Sequence, residues 1–118
     1  MRQKESLSLN HRHALILHVK KEYFDQIKLG EKTEEYRQIK PYWTRLLSGL
    51  PGESIYYDFV MVLLGYPPKY EKEKRIVFRY DGYTIKMIKH KEFGDLPVQV
   101  YAIRLIPKYR RDIPATSQ

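Results

Sequence analysis

The stretch Leu15–Gly30, LILHVKKEYFDQIKLG, joins two periodicities. With Ala14 ahead of it, the run to Val19 is short, apolar and partly β-branched, which predicts a buried strand. From Lys21 to Leu29 the spacing changes. Phe24, Ile27 and Lys28 recur at helical intervals, Tyr23 and Ile27 stand four apart, and Gly30 can take φ > 0 where the helix ends. A strand running into a helix of two to three turns is therefore expected, with the helix packed on the sheet that the strand enters.

Downstream, Glu31–Ile39 places the β-formers Thr33, Tyr36 and Ile39 in a second strand. Pro41 opens a short helix that presents Trp43, Leu46 and Leu47 to one side, and Leu50-Pro51-Gly52-Glu53 is a turn. Ile55–Leu64 reads as a long strand broken by Gly65-Tyr66-Pro67-Pro68. Arg75–Tyr80 and Tyr83–Ile88 flank Asp81-Gly82, which predicts a two-residue type I′ hairpin joining those two strands. Val98–Ile106 is a last strand before Pro107. The expected organisation is an irregular segment 1–13, one domain over 14–107 and a polar C-terminal tail 108–118. Its class is α+β: five to six strands in a small mixed β-barrel, closed or nearly so, capped by two or three short helices. An open sheet with the same elements is the alternative, and periodicity does not separate the two.

The 118 residues contain no cysteine, which excludes disulfides, thiolate metal sites and cysteine nucleophiles. The N-terminal residues lack the apolar core of a secretory signal, and no apolar run approaches the roughly 18 residues of a membrane span. A cytoplasmic protein with no membrane partner is the expectation. Lysine and arginine exceed aspartate and glutamate by 22 to 14, a balance that attracts polyanions. The excess is local: Lys69 to Lys91 holds eight basic and three acidic residues, and Arg104 to Arg111 holds four basic residues and no acid. A solvated, solubilising face explains such runs equally well. The eleven tyrosines, several beside these charges, move the reading toward nucleic acid, because rings stack on bases while Lys and Arg meet phosphates.

After the strand-helix unit comes Gly30-Glu31-Lys32-Thr33-Glu34-Glu35-Tyr36-Arg37, which reads G-x-K-x-x-E-x-R. This pattern at this junction resembles the signature of the ASCH family of the PUA-like superfamily. The order strand, helix, motif strand, short helix and strand-rich remainder resembles it too, over about residues 14–107, with the specific part in 15–45. Tyr42-Trp43 after Lys40-Pro41 is similar to the proline-aromatic segment of small stand-alone members. The resemblance implies a PUA-like barrel and RNA-associated roles.

The motif's chemistry can be read from its residues alone. In an extended chain Glu35 and Arg37 share one face, about 7 Å apart at their Cα atoms, close enough for an ion pair. Lys32 sits at the loop-to-strand junction, from which it can turn to the same cleft. Arg37 and Lys32 could then hold a phosphate or base edge while Glu35 orients them, or Glu35 could act as a general base beside Lys32. The plainer reading is that Glu35 and Arg37 only satisfy each other. Gly30 needs no role beyond ending the helix.

Around the motif, Lys40, Tyr42, Trp43 and Arg45 are candidates for nucleic-acid contact, with Trp43 as a stacking ring or, as a lone Trp on an amphipathic helix more often is, a core residue. His11 and His13 form an H-x-H pair with no further metal-ligand cluster, so no metal is assigned. His18 and His90 have no partner evident in sequence. No P-loop, dinucleotide fingerprint or Ser-His-Asp arrangement is present, and no cofactor is implied. Three functions compete. The leading one is a module that binds RNA or a modified nucleoside. The second, an enzyme, follows from the resemblance, since some ASCH-like proteins are similar in outline to N4-acetylcytidine amidohydrolases and others are linked to RNA cleavage. The deacetylase pattern uses a lysine, a threonine three residues later and a distant glutamate; here Lys32 is present, Glu35 stands where the threonine would be, and Thr33 lies beside Lys32. A tyrosine-rich surface for a protein partner is the third.

Overall fold

The structure, a computed structural model, describes residues 8–111. Strand β1 (Ser8–Val19) runs into helix α1 (Lys21–Lys28), followed by β2 (Glu34–Gln38), α2 (Pro41–Leu47), β3 (Glu53–Leu64), β4 (Arg75–Arg79), β5 (Tyr83–Ile88) and β6 (Val98–Arg104). Single 3-10 turns cover Lys72–Lys74, Lys91–Phe93 and Pro107–Tyr109. The α+β class and the order of the elements match the expectation from sequence. No helix among the described residues is long and apolar enough to cross a membrane.

β1 starts at Ser8 rather than Ala14, so residues 8–13 are not irregular. Asn10 to His13 are all polar, and the pairing over this part of the strand rests on a parallel backbone ladder with β3, from Ser8↔Glu53 to Arg12↔Tyr57. Cross-strand polar contacts replace apolar ones: His11 stacks on Tyr56, and both His11 and His13 hydrogen-bond the Asp58 carboxylate. A hydrophobic pattern cannot register such a strand. At the other end, Tyr109 closes a 3-10 turn and Arg110 bridges to Phe78, so residues 108–111 are tied to β4. The outer parts of the two terminal segments, 1–7 and 112–118, lie outside the described residues.

Asp81-Gly82 does not make the expected hairpin. β4 pairs antiparallel with β3, and β5 pairs antiparallel with β6, so the dipeptide carries the chain from one sheet to the other. A type I′ turn needs φ > 0 at both central residues. Gly82 has φ 80°, but no non-glycine residue among those described has positive φ. Arg104 holds the link instead, its Nη1 donating to Asp81 O at 2.6 Å and its backbone N–H to Gly82 O at 3.1 Å.

The result is two three-stranded sheets, ordered β1-β3-β4 and β2-β6-β5. Strand pairing stops within each sheet, and no closed barrel is found among the described residues. Leu15, Leu17, Val60 and Val62 from one sheet, Tyr101 and Ile103 from the other, and Phe24 and Ile27 from α1 form one shared core. α2 is fastened to both sheets by polar contacts: Tyr57 Oη donates to Leu46 O at 2.7 Å, and Thr44 Oγ1 lies 2.7 Å from Tyr101 Oη.

Tyr57→Phe keeps the buried ring and leaves Leu46 O without its donor. A loss of ~0.5–1.5 kcal/mol in urea unfolding is expected, whereas Tyr56→Phe, on an exposed ring, should leave stability unchanged.

Candidate functional site

Glu35 is the only charged residue buried among those described, at 6% exposure. Position in the sheet puts it there: it faces Ile103 across the β2–β6 ladder, in the row that continues to Tyr83. Lys32 approaches from the end of α1. Gly30 adopts φ 81°, and the backbone N–H groups of Glu31 and Lys32 both donate to Gln26 O, so the chain folds back over the helix end before β2 begins. From there Lys32 Nζ reaches 3.5 Å from Glu35 Oε1 and lies 4.4 Å from the Tyr36 ring centroid.

Arg37, two residues along β2, donates through Nη1 to Glu35 Oε2 and at 3.0 Å to Tyr36 O. Its Nη2 donates at 3.0 Å to His18 O on β1, in the other sheet. The guanidinium lies 5.1 Å from the Trp43 ring centroid. Lys32, Glu35 and Arg37 therefore do meet, with each Glu35 oxygen facing a cation.

Two further walls complete the cleft. On one, Lys20 Nζ sits 3.0 Å from both Glu92 oxygens, and Tyr23 Oη donates to Glu92 Oε2 at 3.1 Å. Lys91 Nζ pairs in the opposite sense with Glu22 at 2.8 Å, so the β5–β6 connection is tied to α1 twice. His90 Nδ1 accepts from Glu92 N at 3.1 Å. Lys20, and after it Tyr23, hold the Glu92 carboxyl below the usual range. Burial, and after it the bond to Glu92, pushes the Tyr23 phenol up to about 12. On the other wall, His18 Nδ1–H donates to Gly65 O at 2.7 Å, and its ring stacks on Tyr66, centroids 4.0 Å apart and planes within 20°. The open cleft between these walls has a volume of about 440 Å³, in the size range of small-molecule sites.

Tyr42 and Trp43 line this cleft with the ionic trio. Trp43 is half-buried against the core and also lines the cleft. Lys40 and Arg45 are exposed on or beside α2 and do not line it. Thr33 is exposed, and its carbonyl accepts from Leu105 N. Gly30 ends α1. The basic stretch 69–91 forms no single strip, because β4 and β5 belong to different sheets. Many of its charges are also tied down: Arg75 donates to Pro67 O, Pro68 O and Glu71 O, and Lys74, Lys86 and Lys91 pair with Glu71, Glu34 and Glu22. No group of three metal-ligating side chains occurs among the described residues.

Sequence reasoning missed His18, Tyr66, Lys20, Tyr23, His90 and Glu92. The first two become neighbours because β1 and β3 run parallel in register, Val19 against Leu64, so a parallel pairing read from the apolar runs would have found them. Nothing local marks His90 and Glu92, which are brought in by a loop. No family model matches this chain, and neither a curated protein nor a solved structure matches it.

Glu35→Gln removes the charge that both cations face. A loss of about 3 kcal/mol is expected in chemical denaturation, the scale for breaking a buried pair, with Lys32→Met/Arg37→Met in the Gln background restoring part of it. Tyr23 gives a pH test. Its phenol keeps its proton to a higher pH folded than unfolded, so its contribution is intact below pH 10.0 and is lost as pH rises toward about 12. Tyr23→Phe should lessen the fall in melting temperature across that window.

Proposed function

We propose that this chain binds RNA or a modified nucleoside through the cleft around Lys32, Glu35 and Arg37, as the resemblance to the ASCH group implies. One observation carries the reading: the Arg37 guanidinium, fixed by Glu35 and by two carbonyls, lies 5.1 Å from the Trp43 ring at the edge of an aromatic cleft. Rings that stack on bases beside cations that meet backbone or base edges are the usual chemistry of RNA recognition. On this reading Lys40 and Arg45, exposed next to Tyr42 and Trp43, meet phosphates at the rim. The two sheets around one core are then an opened PUA-like barrel, and a cytoplasmic location goes with the same reading.

Glu92 favours a second reading, an amidohydrolase or ribonuclease. The deacetylase pattern calls for a lysine and a distant glutamate, and Glu92 lines the same cleft as Lys32. Glu35 is less suited to be the base, because it is buried between two cations, Lys32 and Arg37, whereas Glu92 is exposed and faces one, Lys20.

Fluorescence anisotropy with labelled single-stranded RNA tests the proposal. Binding that weakens with salt is expected, and Lys40→Ala/Arg45→Ala should lower the log–log salt slope by about 2, one for each phosphate contact. Trp43→Ala should cost ~1–3 kcal/mol of affinity. No binding at ~50 mM salt with micromolar protein contradicts the reading, since even non-specific affinity is 10⁻⁴ to 10⁻⁶ M at physiological salt. Hydrolysis of N4-acetylcytidine or RNA that Glu92→Gln abolishes would place the second reading first.

A further inference from the structure

The charges lining the cleft cancel almost completely. Lys20, Lys32 and Arg37 supply three positive charges, and Glu35 and Glu92 supply two negative ones. Every carboxylate oxygen is within 3.5 Å of a lysine ammonium or bonded to Arg37. Three of the five guanidinium N–H groups of Arg37 are accounted for by Glu35, Tyr36 O and His18 O. A phosphate placed among these groups would gain little from cations already neutralised and would be repelled by a carboxylate beside each of them.

The ring surfaces are arranged differently. Tyr66 is 84% exposed, yet it is held nearly parallel to His18, and His18 is itself anchored on Gly65 O. A large ring left in water and stacked on an anchored imidazole presents its open face as a platform. The anchor also settles the imidazole's chemistry: Nδ1 must carry the proton to bond a carbonyl, so in the neutral ring Nε2 is an acceptor. Nε2 has no hydrogen-bond partner among the described residues, and it suits a ligand with an N–H group.

We propose, resting on the nucleic-acid reading above, that the cleft holds the neutral heterocycle itself, as a free nucleoside or a single unstacked base laid against the Tyr66–His18 pair, while phosphates stay outside toward Lys40 and Arg45. The ionic trio then acts as a polar floor that orients the ring edge. Backbone phosphates add affinity to an RNA ligand without entering the cleft.

The experiment titrates the protein with the four ribonucleosides and N4-acetylcytidine, with their 5′-monophosphates and with inorganic phosphate. Binding is read by Trp43 fluorescence and by calorimetry, at ~50 and ~500 mM salt. At least one nucleoside should bind, with a Kd that changes by less than about threefold between the two salts, because few or no counterions are released. Its monophosphate should bind no more than about threefold tighter, and inorganic phosphate should not displace it. Tyr66→Ala should weaken the nucleoside by about 5- to 150-fold, the stacking range for one base, with an unchanged melting temperature.

A monophosphate bound more than about tenfold tighter, with steep salt dependence and displacement by phosphate, would make the cleft a phosphate site. That outcome overturns the inference and leaves RNA binding standing. So does labelled RNA that binds while no nucleoside binds or competes. An unchanged affinity in Tyr66→Ala refutes the platform. If neither RNA nor any nucleoside binds, the underlying nucleic-acid reading falls with it.

Discussion

The Glu35 carboxylate, removed from water between Lys32 and Arg37, is the interaction around which this molecule is arranged. A carboxylate left alone in a protein interior is costly, and partners that satisfy both oxygens are what make the position tolerable. Those partners impose geometry. Lys32 can reach only because Gly30 turns the chain back over the end of α1, and Arg37 can reach only from the same face of β2. Having bonded Glu35, Arg37 extends to His18 O on β1. One guanidinium therefore joins the two sheets that strand pairing leaves separate.

The cleft opens at this junction for a structural reason. Two sheets sharing a core but no hydrogen-bonded edge must part somewhere. They part where β1 ends, α1 begins and the β5–β6 connection crosses over, and the ends of these elements supply the walls. Each wall is held by the protein's own contacts: His18 by Gly65 O, Glu92 by Lys20 and Tyr23, the connecting loop by Lys91 and Glu22. A site built this way loses little conformational freedom on binding, which favours affinity for a small rigid ligand.

Most of the fold could be read in the sequence because its elements announce themselves locally. LILHVKKEYFDQIKLG changes period at Lys20, Pro41 starts α2, and the apolar runs of β3, β4, β5 and β6 are bounded by Gly and Pro. The failures share one cause, which is that pairing is not local. Asp81-Gly82 looks like a hairpin to any rule confined to neighbours, yet β3 and β6 compete for the flanking strands and take one each. β1 extends to Ser8 because β3 is there to pair with it, and no feature of residues 8–13 alone requires that. In the site, the residues within G-x-K-x-x-E-x-R meet as their spacing foretold. His18 and Tyr66 were missed because only the unread parallel pairing of β1 with β3 brings together His18 and Gly65, 47 positions apart, and Glu92 because a loop brings it to Lys20 across 72 positions.

The central claim is that a heterocycle is bound at the seam held by Glu35 and Arg37. Amide and indole shift mapping by NMR, during titration with a nucleoside and then with a short single-stranded RNA, tests it most directly. The account predicts that both ligands shift the Trp43 indole N–H and the amides of Lys32, Arg37, Tyr66 and His18, with RNA adding shifts at Lys40 and Arg45. Shifts confined to Arg79, which ends the edge strand β4 beside the Tyr109 ring, and to Lys108–Arg111, with the cleft resonances unmoved, would contradict it.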